Sequence, residues 1–380
     1  MELHWFLPTA GDSRDVVPTT ADSHRRAPTI EYLGQLAQAA ENLGFTGVLT
    51  PTGTWCEDAW LVTAALLPLT QRLKFLVAFR PGFLSPTLAA QMAATYQRIS
   101  HGRLLLNVVT GGEPAEQRRF GDWLDHDERY ERTDEFLAAL RGAWSGRPYD
   151  VDGRHYHLAG ATVRGAPKPA PPIYFGGASP AAERVAARHA DVYLMWGEPP
   201  ADVTARLEHM RALAEAEGRS LRFGIRLHVI TRDRAGEAWA ETERVLATMS
   251  PKAIAAAQAG FARSESTGQR RMAALHGGRT DDLVVAPNLW AGIGLVRGGA
   301  GTALVGSHQE VAERLVEYHR LGFDEFILSG HPHLEEAYWF AEGVMPELRR
   351  AGVLGPAGAG SGSEVGGDPS QSALNAMAAR

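Results

Sequence analysis

Short apolar runs alternate with longer segments of helical period through most of the chain. Residues 3–8 make the first run. In 30–43 the residues Ile30, Leu33, Leu36, Ala37, Ala40 and Leu43 fall on one helical face, with Gly44 supplying the stop. The unit then repeats: apolar runs at 46–50, 73–79, 104–109, 173–175, 192–196 and 222–230 precede helical segments at 57–67, 86–99, 127–144, 181–189, 201–217 and 234–249. An eighth run at 325–329 follows a long glycine-rich stretch and a helical segment at 309–321. This alternation defines an α/β protein, and eight strands predict one (β/α)8 TIM barrel over 1–354, with insertions at about 145–170 and 250–305. A doubly wound open sheet is the alternative, but it gathers ligand contacts at one switch point, whereas a barrel brings every strand end to one rim. Here nearly every strand end is polar, glycine-rich or sharply turned, as in Thr110-Gly111-Gly112, Gly176-Gly177-Ala178-Ser179 and Ser329-Gly330-His331. That distribution favours the barrel.

Composition acts mainly by exclusion. With 44% hydrophobic and 22% charged residues in 380, the chain is of ordinary globular type. A net charge of −6 argues against a nucleic-acid or anionic-membrane partner. The single cysteine, Cys56, allows no intrachain disulfide and no multi-cysteine metal site, which suits a reducing cytoplasm. The first residues run straight into an apolar strand without a basic leader, and no apolar run approaches the ~18 residues of a membrane span. The expectation is a cytoplasmic protein. Residues 355–380, rich in Gly, Ala, Ser and Pro, predict a disordered tail.

The seventh strand carries the clearest chemistry. In 223–230, Ile225, Leu227 and Val229 share one face and Gly224, Arg226 and His228 the other, so an apolar face toward the helices turns Arg226 and His228 into the barrel mouth. An inward guanidinium needs an anion: either an internal carboxylate or a ligand. Gly176-Gly177-Ala178-Ser179, between a strand and a helix, offers backbone amides to a phosphate or simply a serine helix cap. The glycines of 292–301 do not have dinucleotide-motif spacing; with Arg297 among them they read as a mobile lid loop before the last strand. His331-Pro332-His333 raises a metal site, but a catalytic metal wants a third ligand, and the first strand offers only His4. His155 and His157 read as a surface hairpin. Cys56 has no basic neighbour in sequence to activate it, so it reads as a hydrogen-bonding thiol.

Taken together, several of these segments resemble one family. They are Trp5-Phe6-Leu7-Pro8-Thr9, Pro51-Thr52-Gly53 with Cys56-Glu57-Asp58-Ala59-Trp60, Asn107 to Gly112, Phe175-Gly176-Gly177, Trp196-Gly197-Glu198-Pro199-Pro200, the strand 223–230, Pro287 to Gly301, and Pro332 to Tyr338. From about Glu2 to Leu348 the chain resembles the two-component alkanesulfonate monooxygenases of the bacterial-luciferase-like barrels. The resemblance implies that an NAD(P)H-dependent FMN reductase supplies reduced FMN, that O2 is the oxidant, and that an alkanesulfonate yields an aldehyde and sulfite. It also implies a metal-free homo-oligomer, usually a tetramer. By the same resemblance Arg226, His228, Arg297, Cys56, His331 and His333 are the catalytic set, and Trp196 joins Arg226 and Arg297 at the substrate. Asn107 and Thr110 face the isoalloxazine edge, while His126, Tyr130, Gly177 and Ser179 hold the phosphate end. Two positions depart from the family: His331 replaces a tyrosine and Ala10 a histidine. An imidazole exchanges protons nearer neutrality than a phenol does. The acid/base assignment therefore stays open, as do two alternatives: another reduced-flavin monooxygenase acting on a sulfone, amide or biosynthetic substrate, and a non-catalytic flavin-binding barrel.

Overall fold

The computed structural model describes residues 1–17 and 25–356, so the expected tail lies, after Pro356, outside the described residues. Eight parallel strands form a closed barrel: β1 (Glu2–Phe6), β2 (Gly47–Thr50), β3 (Lys74–Phe79), β4 (Leu104–Val108), β5 (Ile173–Gly176), β6 (Val192–Trp196), β7 (Arg222–Arg232) and β8 (Glu325–Ser329). Each pairs with the next, and β8 returns to β1 through Glu2 opposite Glu325. Outward side chains such as Trp5, Phe75, Leu106, Ile225 and Phe326 pack under the surrounding helices. Inward ones, including Leu76, Leu105, Tyr174, Val192 and Ile327, fill the barrel. Among the described residues no helix is long and apolar enough to cross a membrane.

Helix starts follow capping chemistry. The helix expected from 57 begins at Ala59, because the Asp58 side chain accepts from the Leu61 N–H at 2.9 Å. Asp125 and Glu128 form a capping box that starts the helix His126–Ala143 and places His126 in its first turn. The hairpin Tyr149–Asp152/His157–Ala161 carries His157 in a strand and His155 in its turn.

The long segment before β8 holds the helices Pro251–Phe261 and Thr267–His276, a small antiparallel pair, and a strand, Ala303–Ser307, that sequence periodicity missed. It is short and follows a run of glycines. Its partner is the far end of β7, which runs to Arg232 rather than stopping at Ile230, with Ala303 opposite His228. This pairing ties the chain just after the glycine-rich loop to the barrel rim.

The N-terminal end of the barrel is closed by a polar plug. Glu325 meets His4 Nε2 at 3.0 Å, the Tyr174 hydroxyl at 2.6 Å and the Arg222 guanidinium. Burial opposes its ionisation, but the hydrogen bonds and charge of His4 and Arg222 and the Tyr174 hydroxyl outweigh that and hold the carboxyl below its usual range. The stability it contributes is therefore present above the ordinary carboxylate pKa and is lost as pH falls through the folded value. We expect Glu325→Ala to cost about 3 kcal/mol in urea unfolding at neutral pH, because it strands buried donors. A change within the scatter of surface substitutions would contradict this role.

Candidate functional site

At the opposite end the strand termini open into a cavity of about 670 Å³. That lies within the roughly 300–1,000 Å³ of cofactor and ligand clefts. Strand β4 brings Asn107 and the following loop Thr110; β5 leads into Gly176, Gly177 and Ser179; β6 contributes Trp196; β7 contributes Arg226. His126 and Tyr130 reach it from one helix and Arg297 from the glycine-rich loop.

One end gathers a helix start, a glycine and hydroxyl donors, groups that could hold a phosphate. Ser179 caps the helix Pro180–His189, accepting from Ala182 N–H at 3.3 Å, so the positive end of that helix faces the cavity. Gly177 adopts φ +143°, and a Cβ there would lie 2.7 Å from the Ala182 Cβ and 3.2 Å from the Tyr130 hydroxyl, filling the cradle. Burial pushes the Tyr130 phenol up to about 12, against the Ser179 hydrogen bond, so it remains a neutral donor. The Tyr193 hydroxyl holds the Gly177 carbonyl from behind. A second helix start, Thr267–His276 capped by Ser266, also borders the space.

The other end is cationic. Arg226 donates to the Leu227 and Ile327 carbonyls at 2.6 and 3.3 Å and to the Ser329 hydroxyl at 2.7 Å, while its guanidinium carbon lies 5.0 Å from the Phe6 ring centroid. Arg297 lies over the same ring at 5.7 Å and donates weakly to the Gly298 and Ala300 carbonyls. Neither has a carboxylate partner among the described residues. Burial, together with the Arg297 charge, drives Arg226 well below its usual range, and burial lowers Arg297 to about 10. Of the three carboxylates that line the cavity, two are paired, Glu116 with Arg80 at 2.5 Å and Glu198 with Arg206 at 2.7 and 2.8 Å, and the half-buried Glu113 makes no ion pair with either Arg226 or Arg297.

Three histidines stand beside these arginines rather than in the cavity lining. His228 and His331 stack at 5.7 Å, and His333 meets His331 edge-on at 4.8 Å. His228 and His331 border a separate void of about 10 Å³. Burial and the nearby cationic groups push both well below the ordinary imidazole range, so both are neutral. The buried His331 Nε2 has no hydrogen-bond partner among the described residues. His333 Nδ1 lies 2.7 Å from Asp12 Oδ1, an aspartate 321 positions away that sequence reasoning missed. Asp12, His331 and His333 bring three potential ligand atoms within 4.8 Å of one another. The Asp12 carboxylate, however, is already taken by His333 N–H, Ser13 N–H and the Tyr32 hydroxyl as well as the His333 ring. Ser329 and Phe6, which support Arg226, were also missed. Their alternation on β8 and β1 was the available signal.

Cys56 lies outside the cavity lining, half-buried, with Sγ 3.6 Å from the Gly53 carbonyl. Burial pushes its thiol up to about 11.

A closed parallel barrel whose rim cavity joins a glycine and helix-start end to arginines without a carboxylate partner is a candidate site for a cofactor and an anion. The profile of the luciferase-like monooxygenases matches residues 1–325, and the chain belongs to that family. Similar solved structures include riboflavin lyase RcaE with modified FMN and riboflavin, at 21% identity and TM-score 0.80, covering 93% of this chain and 92% of that one. EDTA monooxygenase EmoA from Chelativorans sp. BNC1 follows at 20% and 0.75, covering 93% and 95%. DmoA from Hyphomicrobium sulfonivorans stands at 22% and 0.77, covering 93% and 88%. At these identities they share the fold.

The Cys56 environment has a direct chemical readout. Because it is the sole cysteine, alkylation of the native protein reports it alone. We expect the rate to lie below that of a model thiol near neutrality and to keep rising with pH past the ordinary thiol pKa of about 8.5. A plateau at or below that value would mean an activated thiolate.

Proposed function

We propose that the protein is the oxygenase of a two-component system that takes reduced FMN from an NAD(P)H-dependent FMN reductase and uses O2 to convert an alkanesulfonate to an aldehyde and sulfite. The observation that carries this reading is the pair of buried Arg226 and half-buried Arg297, which line the cavity with no carboxylate partner among the described residues. A sulfonate is a permanent anion with three acceptor oxygens, and it completes that pair as no neutral sulfone or amide does.

The residues present fit FMN. The Gly177 cradle, the Ser179-capped helix start, Tyr130 and His126 suit its phosphate, while Asn107 and Thr110 suit the ring edge. When bound, reduced FMN supplies the two electrons that activate O2. The overall change is R–CH2–SO3⁻ + O2 + FMNH2 giving R–CHO + HSO3⁻ + FMN + H2O, with the C–S bond broken and its electron pair leaving on sulfur.

The chain's own groups have defined tasks in this scheme. Arg226 is held by two carbonyls and Ser329, so its charge is fixed in place before the anion arrives. Arg297 comes from a glycine-rich segment, and Gly299 N–H is tethered to Gln269 Oε1 at 2.9 Å, so closure of this loop brings the second cation and excludes water. Trp196 forms an apolar wall for the alkyl chain, packed by Gly268 and Gly299. Cys56 acts as a neutral hydrogen-bonding thiol at the rim, and His331 and His333 lie where protons must be moved.

The experiment mixes the protein with chemically reduced FMN, air and alkanesulfonates of increasing chain length, and assays sulfite. We expect sulfite in proportion to the sulfonate consumed for at least one chain length. If every sulfonate fails while flavin oxidation stays coupled to loss of a sulfone or amide, the sulfonate reading is wrong.

A further inference from the structure

Two of the three histidines beside Arg226, His228 and His333, are chemically unequal, and their hydrogen bonds say how. His228 has both ring nitrogens committed. Its Nε2 lies 3.1 Å from the Ala300 carbonyl, which only accepts, so the proton of the neutral ring is on Nε2. Its Nδ1, 2.9 Å from Ser329 Oγ, then accepts the serine proton, while Ser329 accepts from Arg226. The chain Arg226 to Ser329 to His228 to Ala300 therefore runs in one direction and leaves His228 no free lone pair. Its role is to support Arg226 and anchor the glycine-rich loop at Ala300.

His333 is arranged the other way. Its Nδ1 faces the acceptor-only Asp12 at 2.7 Å, so the proton is on Nδ1, and in the neutral ring Nε2 keeps its lone pair with no hydrogen-bond partner among the described residues. Asp12 is itself immobilised. It accepts from His333 N–H at 2.9 Å, from Ser13 N–H at 2.9 Å and from the Tyr32 hydroxyl, with Arg26 3.9 Å behind. The His333 ring is gripped between Phe6 at 5.4 Å and His331 at 4.8 Å. Both faces of the arrangement, carboxylate and ring, are held before any ligand binds.

We propose that Asp12 is a positioning residue that fixes His333 as the Nδ1–H tautomer and so makes His333, not His228, the proton acceptor of the site. The inference rests on the desulfonation reading for the step it serves. Once the carbon bearing the sulfonate carries a hydroxyl, the O–H proton passes to Nε2 of His333, whose ring shares the Phe6 ring with Arg226 and Arg297 and so adjoins the cationic end of the cavity. The O–H electron pair becomes the second bond of the carbonyl, and the C–S pair leaves on sulfur as sulfite. That step is redox-neutral and needs nothing beyond the O2 and reduced flavin already named. The imidazolium formed lies against the Asp12 carboxylate, which offsets its charge.

The rival role for Asp12 is purely structural, since it also ties the loop after β1 to the backbone at His333. The test is therefore a tautomer measurement. In full-length protein with oxidised FMN, selectively ¹⁵N-histidine-labelled and held at about pH 8, above the ordinary histidine range, the His333 signals are those lost in His333→Asn. We expect wild type to show protonated Nδ1 and bare Nε2, and Asp12→Asn to shift the ring toward the Nε2–H form. With reduced FMN and substrate, Asp12→Asn should lose kcat by about 10²-fold while KM changes less than about twofold. His333→Asn keeps a donor for Asp12, so it should fold and lose kcat similarly. A wild-type Nε2–H tautomer, an unmoved tautomer in Asp12→Asn, or full turnover in His333→Asn each overturns the proposal. Absence of sulfite from every sulfonate would sink the functional reading instead, because the tautomer is read without turnover.

Discussion

The arrangement at the barrel mouth depends on a guanidinium without a counter-ion. Strand β7 shows why this is a specific feature rather than a general tolerance, because it carries two inward arginines. Arg222, at the N-terminal end, meets Glu325 on β8. Four residues along, Arg226 meets Ser329, four residues along β8 from Glu325. The same two strands thus neutralise one arginine and leave the other charged but merely hydrogen-bonded. Taking a charge out of water without a partner costs several kcal/mol. The cost persists here because the backbone carbonyls and the serine hold Arg226 in place, and because the well-paired plug below stabilises the barrel independently.

Everything near Arg226 conforms to that unneutralised charge. Arg297 adds a second cation and lowers Arg226 further. His228 and His331 stay neutral, since burial first and then the neighbouring positive charges disfavour their protonation. Two of the carboxylates that border the cavity, Glu116 and Glu198, are tied to Arg80 and Arg206, and the third, Glu113, forms no ion pair with Arg226 or Arg297. Asp12, a carboxylate that does approach, is shielded by His333 and Tyr32 and so acts on the histidine rather than on the arginines. On the proposed reading, an incoming anion relieves a desolvation penalty that the folded chain already bears.

Much of this was legible in residues 223–230, because strand period and apolar pattern together leave no other way to point Arg226 and His228. The glycine turn and serine cap beside the cavity were legible too, because Gly177 and Ser179 between strand and helix are local chemistry. The barrel followed from the repeat of such units. What the sequence could not reveal was pairing across the rim. Asp12 and His333 are far apart in the chain and meet only because β1 and β8 are neighbours in the closed sheet. Ser329 read as an ordinary strand end until its partner was known. Ala303–Ser307 was hidden by flanking glycines, although it sets where the loop carrying Arg297 is anchored.

The most direct test of the central claim compares binding of an alkanesulfonate and the methyl sulfone of equal chain length to the protein saturated with oxidised FMN. The two ligands present similar volume and differ in charge. Hydrogen bonds to charged groups contribute about 1.5–3 kcal/mol, so the account predicts that the sulfonate binds on the order of tenfold tighter or more. Equal affinities would mean that Arg226 and Arg297 are not an anion receptor, and would contradict the account.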